Sequence, residues 1–273
     1  IHLGPLQRLQ LRHSTPPDPD NNYTSNVSAL YRKIGQTTRA CGRKSPFSPH
    51  PPILDRPIIS FYNEFTHHLI RKAEKTMDAC TPIRVGLAGF GMSGRLFHAP
   101  FLHADPRFSL RRVYERASEL AKEEYPEAEV VHSFEALLTE DIDLVIITTP
   151  NALHVPMAEA ALRAGKHVVV EKPIAASREE AEALCRLSRE QGVILTVYQN
   201  RRLDGGFLTA RRLIEEGRLG EVVDYECRFD RFVSGYRTKQ WKREGGRGVD
   251  LLYDIGVHLI DQAVTLFGLP EAV

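Results

Sequence analysis

The sequence predicts an α/β protein, in which a doubly wound parallel sheet is followed by a truncated α+β domain with a mainly antiparallel, open sheet. Three observations support this fold class. Short apolar runs alternate with helical stretches between residues 83 and 216, and a glycine-rich turn directly follows the first run. From residue 223 to residue 229 apolar and charged residues then alternate strictly, which is typical of a strand with one wet face.

The chain divides into three parts by composition. Residues 1–76 hold 9 of the 17 prolines and 11 Lys/Arg against 5 Asp/Glu, with little hydrophobic periodicity. Such a composition buries too little apolar surface to offset its conformational entropy, so we interpret this part as a disordered or non-native extension with Met77 as the natural start. An organelle transit segment is the alternative, although the amphipathic helix of such segments is missing. Residues 77–200 form the first domain, and residues 201–273 form the second, incomplete one.

Periodicity and end signals indicate each element. Continuous apolar runs such as Leu144–Ile147 predict strands that are buried on both faces of a parallel sheet. Ser177 and Glu180 form a capping box at the start of one helix, Gly192 ends that helix, and Ser133 is expected to cap another. The predicted strands are 83–88, 110–114, 144–147, 167–170, 195–198 and 223–229, and the predicted helices are 95–103, 117–124, 134–138, 155–164, 178–192, 207–216 and 251–265.

The overall composition excludes several functional classes. An apolar content of 42%, a charged content of 26% and a net charge of +1 describe an ordinary globular protein and argue against a nucleic-acid partner. No apolar run approaches the roughly 20 residues that a membrane helix needs, so no membrane association is expected. Cys41, Cys80, Cys185 and Cys227 lack the spacing of metal ligands. We therefore expect free thiols, no metal and a cytoplasmic location.

The glycine-rich turn is the clearest motif. Gly89-Phe90-Gly91-Met92-Ser93-Gly94 has the pattern G-x-G-x-x-G and lies between a predicted strand and a predicted helix. Its glycines allow a tight turn, a close approach of the backbone to a pyrophosphate, and close packing of the helix on the strand. The amino terminus of the helix offers N–H groups and a partial positive charge to phosphates. We therefore predict a dinucleotide-binding Rossmann domain, with a purely structural glycine turn as the alternative.

Two neighbouring residues favour different dinucleotides. Glu115 ends the second predicted strand, 21 residues after Gly94, where an acidic side chain would hold the adenosine ribose of NAD. The adjacent Arg116 could instead pair with the 2′-phosphate of NADP. The sequence therefore leaves the choice between NAD and NADP open.

The turn 148–151 closes another strand at the same edge of the sheet. We expect it to line the ribose and the nicotinamide, whereas the alternative is a turn that only caps the helix beginning near His154. The predicted cofactor-binding residues are Gly89, Phe90, Gly91, Met92, Ser93, Gly94, Glu115, Arg116, Thr148, Thr149, Pro150, Asn151, His154, Glu171 and Lys172.

The candidate catalytic residues lie in two motifs. Glu171-Lys172-Pro173 follows the apolar run 167–170 at the ligand-binding edge of the sheet. Asp254 and His258 are spaced i, i+4 in a predicted helix, so both point the same way. Hydride transfer from an alcohol needs a base for the hydroxyl proton and a positive group for the developing alkoxide, which suit His258 and Lys172. A single lysine at a strand end is more often a solvated residue, and a single histidine more often has a structural role. The prediction of a catalytic site therefore depends on the combination of Lys172 with Asp254 and His258.

Together these motifs resemble the Gfo/Idh/MocA oxidoreductases. The resemblance covers residues 83–273, and the segments that carry it are GLAGFGMSG, FHAPFL, VEKP, VYQNRR and YDIGVHLIDQA, closest to the NADP-dependent scyllo-inositol 2-dehydrogenase branch. It implies a Rossmann domain plus a carboxyl-terminal α/β domain with an open, mainly antiparallel sheet that serves oligomer contacts. It also implies Lys172, Asp254 and His258 as catalytic residues. Asn200, Arg201, Arg202 and Trp241 would shape a polyol pocket, with ordinary surface and packing roles as the alternative.

The expected function is hydride transfer between NAD or NADP and a secondary alcohol of a sugar or cyclitol, catalysed by a homo-oligomer that acts on a small molecule. One alternative is a catalytically silent sensor that binds the dinucleotide as a regulatory ligand. A second is a Rossmann methyltransferase, which also uses glycines and an acidic strand end, but which gives no reason for Lys172-Pro173 or for a second domain.

Overall fold

The protein is described by a computed structural model. The chain divides into two compact units, one within Ser28–Tyr198 and one formed by Ile1–Val27 together with Gln199–Val273. We call the first the sheet unit and the second the carboxyl-terminal unit. The residues that the structure describes are 9–12, 81–230 and 250–272.

The predicted elements occur in the predicted order, and two strands that were not predicted, Leu9–Arg12 and Glu129–Val131, are added to them. The strands are β1 (Leu9–Arg12), β2 (Ile83–Ala88), β3 (Phe108–Tyr114), β4 (Glu129–Val131), β5 (Leu144–Ile147), β6 (His167–Val170), β7 (Leu195–Val197) and β8 (Tyr225–Arg228). The α-helices are α1 (Ala99–Ala104), α2 (Leu120–Glu124), α3 (His154–Arg163), α4 (Arg178–Gln191), α5 (Gly205–Glu215) and α6 (Val257–Phe267). The π turns Gly94–His98 and Leu252–Gly256 lead into α1 and α6, and 3-10 turns occupy Phe134–Leu137, Asn151–Leu153 and Asn200–Leu203.

Six strands of the sheet unit form one parallel sheet in the order β4-β3-β2-β5-β6-β7. This arrangement confirms the predicted doubly wound sheet. From β2 the chain adds β3 and β4 on one side, and it then returns to add β5, β6 and β7 on the other. The carboxyl ends of β2 and β5 are therefore neighbours at the topological switch point, where such sheets bind ligands.

The sheet is buried on both faces, which explains its continuous apolar runs. All four residues of β5 and the last four residues of β2 are buried. Ala158 and Leu162 of α3 join Leu184 and Leu187 of α4 in one hydrophobic cluster with the strands. Because full burial of one Leu or Val side chain contributes about 1.5–3 kcal/mol, this cluster is a main source of the unit's stability.

The helix ends mostly follow their predicted signals. The Ser177 hydroxyl accepts the N–H of Glu180 at 3.3 Å, and the Glu180 carboxylate accepts the N–H of Ser177 at 3.1 Å, so the capping box is confirmed. Gly192 ends α4 with a left-handed φ of +67°. Ser133 occupies the predicted N-cap position of the 3-10 turn that follows, but its hydroxyl makes no capping hydrogen bond. Strand β4 was not predicted, since three partly exposed residues are too few to show a period.

The carboxyl-terminal unit contains β8, the strand with the alternating pattern. Its described partner is β1, and the two run parallel with Leu9 opposite Tyr225 and Arg12 opposite Arg228. The described pairing therefore differs from the expected antiparallel one, and residues 231–249, which follow this region, lie outside the described residues. Strand β1 itself comes from the predicted extension, whose other residues before 77 are likewise not described.

His167 opens β6, and its protonation is linked to folding. Burial lowers the pKa of His167, although the charge of Asp143 acts to raise it, and Nδ1 accepts the N–H of Ile194 at 3.0 Å. Because the folded pKa lies below the ordinary value of 6.5, the unfolded chain binds the proton more readily. The contribution of neutral His167 to the free energy of unfolding is therefore complete above the pKa of the unfolded chain. It is lost as the pH falls through the lower pKa of the folded protein.

We expect His167→Asn, which keeps an acceptor for Ile194, to flatten the fall of the free energy of unfolding in acid. One proton changes that free energy by at most about 1.4 kcal/mol per pH unit. Urea unfolding across this acid range, compared with the wild-type protein, checks the slope. An unchanged slope in His167→Asn would contradict the linkage.

Candidate active site

The three glycines of the turn after β2 differ in their surroundings. Gly89 has a φ of +102°, which favours glycine. A Cβ on Gly94 would lie 2.2 Å from the Gly89 carbonyl oxygen, so this position must stay bare for the helix to pack on the strand. A Cβ on Gly91 would meet no protein atom within 4 Å, and the residue is exposed. A tight turn, an open approach and a close packing contact are the three properties that a pyrophosphate-binding turn requires.

Side chains of the same turn serve the protein rather than a ligand. Phe90 is buried and packs edge-on against Tyr125, with ring centroids 6.0 Å apart. The Ser93 hydroxyl donates to the Glu171 carboxylate. Of the predicted cofactor-binding residues, Phe90 and Ser93 can therefore contribute backbone groups, whereas Met92 is exposed.

Glu115 directly follows β3 and is buried. Its two carboxylate oxygens accept the N–H of Ala121 at 2.7 Å and the hydroxyl of Ser118 at 2.5 Å, and the residue is 4% exposed. The carboxylate thus holds the loop that leads into α2, and both of its oxygens already accept hydrogen bonds. The adjacent Arg116 is exposed. Of the two residues predicted to select the dinucleotide, Arg116 is therefore exposed to a ligand, whereas the Glu115 carboxyl group is buried.

The turn after β5 is tied to the glycine turn. The Thr148 hydroxyl lies 2.8 Å from the Gly89 carbonyl oxygen and 3.1 Å from that of Ala88, while the Thr149 hydroxyl contacts the Met157 sulfur at 3.5 Å. Pro150 is exposed, and Asn151 begins a 3-10 turn. Thr148 therefore joins the ends of β2 and β5, the two strands that meet at the switch point.

His154 joins the turns that follow β5 and β6. The residue is 1% exposed, its Nδ1 lies 2.7 Å from the Pro173 carbonyl oxygen, and its Nε2 lies 2.9 Å from that of Thr149. Thr149 follows β5 and Pro173 follows β6. The His154 side chain therefore links these two turns, and its contact with a cofactor stays a prediction.

Glu171 is the centre of a polar cluster at the end of β6. Its Oε1 accepts the Ser93 hydroxyl and lies 3.0 Å from His98 Nε2, and its Oε2 accepts the N–H of Lys172 at 3.2 Å. Burial acts to raise the pKa of Glu171, but the hydrogen bonds and charges of His98, together with Ser93 and Lys172, hold that pKa below its ordinary value. The carboxylate is therefore charged and committed to protein donors rather than to a ligand.

Lys172 lies at the carboxyl edge of the sheet, directly after β6. It is half-buried, and the Lys172–Pro173 peptide bond is cis. Strand β6 pairs with β5, which in turn pairs with β2. Lys172 therefore belongs to the same edge as the glycine turn, as predicted.

Asp254 and His258 belong to the carboxyl-terminal unit. Asp254 lies in the π turn Leu252–Gly256, where its N–H donates to the Asp250 carbonyl at 2.9 Å, and His258 is the second residue of α6. The predicted i, i+4 spacing thus crosses from a π turn into an α-helix instead of following one regular helix. His258 is buried, and its ring meets the Phe229 ring edge-on at 6.5 Å.

Two of the four predicted polyol-binding residues, Arg201 and Arg202, have structural partners in the same unit. Arg201 pairs with Asp204 at 2.9 Å and lies 4.7 Å above the Phe229 ring. Arg202 donates to both oxygens of Asp261 at 2.7 and 2.6 Å, which ties the 3-10 turn to α6. Asn200 is half-buried at the start of that turn. Trp241 lies outside the described residues.

Two family models match the sequence. The model described as "Oxidoreductase family, NAD-binding Rossmann fold" matches residues 83–199, and the model of the GFO/IDH/MocA C-terminal domain matches residues 207–273. The chain belongs to the Gfo/Idh/MocA oxidoreductase family. This confirms the predicted family and identifies the sheet unit as an NAD(P)-binding Rossmann domain.

Named relatives and solved structures agree with this membership of the Gfo/Idh/MocA family. The chain is 42% identical over 192 residues to scyllo-inositol 2-dehydrogenase (NADP(+)) IolW of Bacillus subtilis, a match that covers 70% of this chain and 53% of the relative. It is 44% identical over 192 residues to an uncharacterized oxidoreductase of Escherichia coli, YdgJ, covering 70% and 55%. The structure of the Bacillus subtilis oxidoreductase yvaA matches with a TM-score of 0.63 at 41% identity, covering 70% and 53%. The chain spans about half the length of these relatives.

The geometry fits the dinucleotide of this family. Gly91 leaves open space where a backbone would approach a pyrophosphate, and the π turn Gly94–His98 begins immediately beyond it. Within the described ranges, no group of His, Cys, Asp or Glu residues could hold a metal ion. Nor does any helix among the described residues have the length and apolar character to cross a membrane.

Sequence reasoning missed two residues of the cluster around Glu171. His98 is fully buried beside Glu171, and its ring lies against that of Tyr198 with centroids 4.1 Å apart. The available signal was the histidine of the segment FHAPFL, which contributes to the family resemblance but does not by itself indicate a chemical role. No local pattern shows that its partner lies 73 positions further along the chain.

Proposed function

We propose that this member of the Gfo/Idh/MocA family transfers a hydride between NADP and a secondary alcohol of a sugar or an inositol-like cyclitol. The observation that carries the proposal is Lys172, which follows β6 at the sheet edge, one strand away from the switch point that holds the glycine turn. Identity of 42% to a scyllo-inositol 2-dehydrogenase (NADP(+)) supports a cyclitol or a related polyol as substrate.

In this proposal the chain's own residues handle the substrate oxygen and its proton. The Lys172 ammonium donates to the oxygen and stabilises the negative charge that develops there as the carbon is oxidised. His258 takes the hydroxyl proton, and Asp254 orients the imidazole or helps to charge it. A bound nicotinamide supplies the hydride acceptor or donor.

The substrate pocket is proposed on fewer residues than the sequence suggested. Asn200 and Trp241 stay candidates for contact with polyol hydroxyls. Arg201 already pairs with Asp204 next to the 3-10 turn, and Arg202 pairs with Asp261 of α6, so we assign both arginines to holding this turn in place. A homo-oligomer and a cytoplasmic location also stay predictions.

The surroundings of Glu115 support NADP over NAD. An acidic residue selects NAD when its carboxylate can accept the ribose hydroxyls. Both oxygens of Glu115 instead accept Ala121 N–H and the Ser118 hydroxyl, while the exposed Arg116 guanidinium could pair with a 2′-phosphate.

We expect Arg116→Ala to lower the preference for NADP over NAD, expressed as the ratio of kcat/KM values, by about ten- to a hundredfold. A hydrogen bond to a charged group contributes about 1.5–3 kcal/mol, and about 1.4 kcal/mol corresponds to a factor of ten. Arg111→Ala is the matched control, because Arg111 is an exposed arginine of β3. An unchanged ratio in Arg116→Ala would remove Arg116 from the cofactor site.

An absorbance assay of the reduced cofactor tests the whole proposal. The full-length protein is offered inositols and aldoses with NAD and NADP separately. Turnover of at least one polyol is the expected result. Tight dinucleotide binding without hydride transfer to any of these alcohols would contradict the proposal and favour the silent sensor. A methyltransferase is set aside, because residues 83–199 match the oxidoreductase family model.

A further inference from the structure

His98 is a fully buried histidine that the proposed chemistry does not use. It closes the π turn that starts at Gly94, directly after the glycine turn. Its Nε2 lies 3.0 Å from Glu171 Oε1, and its ring packs on Tyr198, whose hydroxyl donates to the Phe97 carbonyl at 3.0 Å. The ring is therefore held on one face by an aromatic contact and at one nitrogen by a carboxylate.

The Glu171 carboxylate connects three segments of the chain. Ser93 donates to it from the glycine turn, His98 from the π turn, and the Lys172 N–H from the end of β6. Strands β2 and β6 are not neighbours in the sheet, since β5 lies between them. The carboxylate thus spans the switch point and links the dinucleotide turn to the backbone of Lys172.

We propose that His98 and Glu171 are positioning residues, which hold the backbone of Lys172 in a fixed relation to the dinucleotide turn. The inference rests on the proposed function, because it takes Lys172 as the residue that contacts the substrate oxygen. A π turn inside a helix is rare and is frequently found at functional sites, and this one brings His98 to Glu171.

The physical reason is the demand of a buried carboxylate for donors. A charged carboxylate that loses one of its hydrogen bonds in a buried site is destabilised, so it takes up a proton or moves towards other donors. The described groups that face Glu171 are His98, Ser93, Lys172 and Tyr198. Removing the His98 donor should therefore raise the pKa of Glu171 and loosen its hold on the Lys172 N–H.

The test compares His98→Phe, which removes the donor but keeps a ring against Tyr198, with His98→Gln, which keeps an N–H donor. His103→Gln is the matched control, since His103 lies on α1 and also contacts a glutamate, Glu127 at 2.9 Å, but is exposed. The readouts are kcat, the dinucleotide Kd, the pH dependence of kcat, and the amide hydrogen exchange of Lys172 followed by NMR.

For His98→Phe we expect kcat to fall about 10–100-fold, a typical effect of removing an outer supporting contact, with Kd within about threefold of wild type. In this variant the acid limb of the pH profile of kcat should move to higher pH, and the Lys172 amide hydrogen should exchange faster. His98→Gln should recover most of kcat, and His103→Gln should match wild type. These results distinguish a positioning role from a packing role. A packing defect alone would leave the pH dependence of kcat unchanged, and it would give no recovery of kcat in His98→Gln.

Wild-type kcat and wild-type Lys172 exchange in His98→Phe would overturn the inference. If that variant does not fold, Glu171→Gln carries the test, since its amide is a weaker acceptor of similar shape and the same losses are expected. The exchange of the Lys172 amide needs no substrate. A wild-type protein that turns over no polyol would therefore contradict the proposed function, while the exchange measurement would still decide the inference.

Discussion

Lys172→Ala should lower kcat by about two to four orders of magnitude, while the Kd for the dinucleotide changes by less than about threefold. The ammonium is proposed to stabilise charge that exists on the substrate oxygen only as the reaction proceeds, so its removal affects the chemical step more than binding. The Thr148 hydroxyl and the backbone of the glycine turn hold each other in place, so we expect the dinucleotide still to bind. Steady-state absorbance of the reduced cofactor gives kcat, and a fluorescence titration gives Kd.

Two further variants sharpen this test. Lys172→Arg keeps a positive charge but not the compact ammonium, so we expect partial activity. Lys122→Ala removes an exposed lysine of α2 and should leave turnover unchanged. Near-wild-type kcat in Lys172→Ala would refute the proposed role of the lysine.

Gly91→Ala and Gly94→Ala should separate dinucleotide binding from folding. The methyl group of Gly91→Ala meets no protein atom within 4 Å, so the free energy of unfolding should stay near wild type. It would occupy the space in which the backbone approaches the pyrophosphate, so we expect dinucleotide affinity to fall at least about tenfold. In Gly94→Ala the new Cβ would lie 2.2 Å from the Gly89 carbonyl oxygen, so the turn must shift and stability should fall by about 1–3 kcal/mol.

Urea unfolding and a fluorescence titration measure the two effects independently. Gly205→Ala is a suitable control, because its Cβ also meets nothing within 4 Å but lies at the start of α5 in the carboxyl-terminal unit. Wild-type dinucleotide affinity in Gly91→Ala would show that the turn after β2 does not approach the pyrophosphate.

Local patterns predicted the parts of the fold that depend on neighbouring residues. The run Leu144–Ile147 is apolar because both faces of β5 are covered, and the Ser177 capping box depends on residues three positions apart. The same reasoning failed for β4, which is too short to show a period, and for Ser133, whose type suits a cap that its hydroxyl does not make.

The helix that carries Asp254 and His258 shows a different limit. Spacing of i, i+4 assumes a regular α-helix, but the first turn of this segment is a π turn, Leu252–Gly256. A local change of helical period depends on how the segment packs, which the spacing of polar residues does not reveal.

The amino-acid order alone was enough for the doubly wound sheet, the glycine turn and the position of Lys172 at a strand end. These features follow from hydrophobic period, from chain flexibility at glycine and from the rule that parallel strands end at one edge. Only the folded structure shows which hydrogen-bond partner each polar side chain has. Glu115 binds α2 and Glu171 binds Ser93 and His98, because the occupancy of a carboxylate depends on donors that folding brings from elsewhere in the chain. The sequence identifies the carboxylate, but whether that carboxylate is available to a ligand depends on the packed structure.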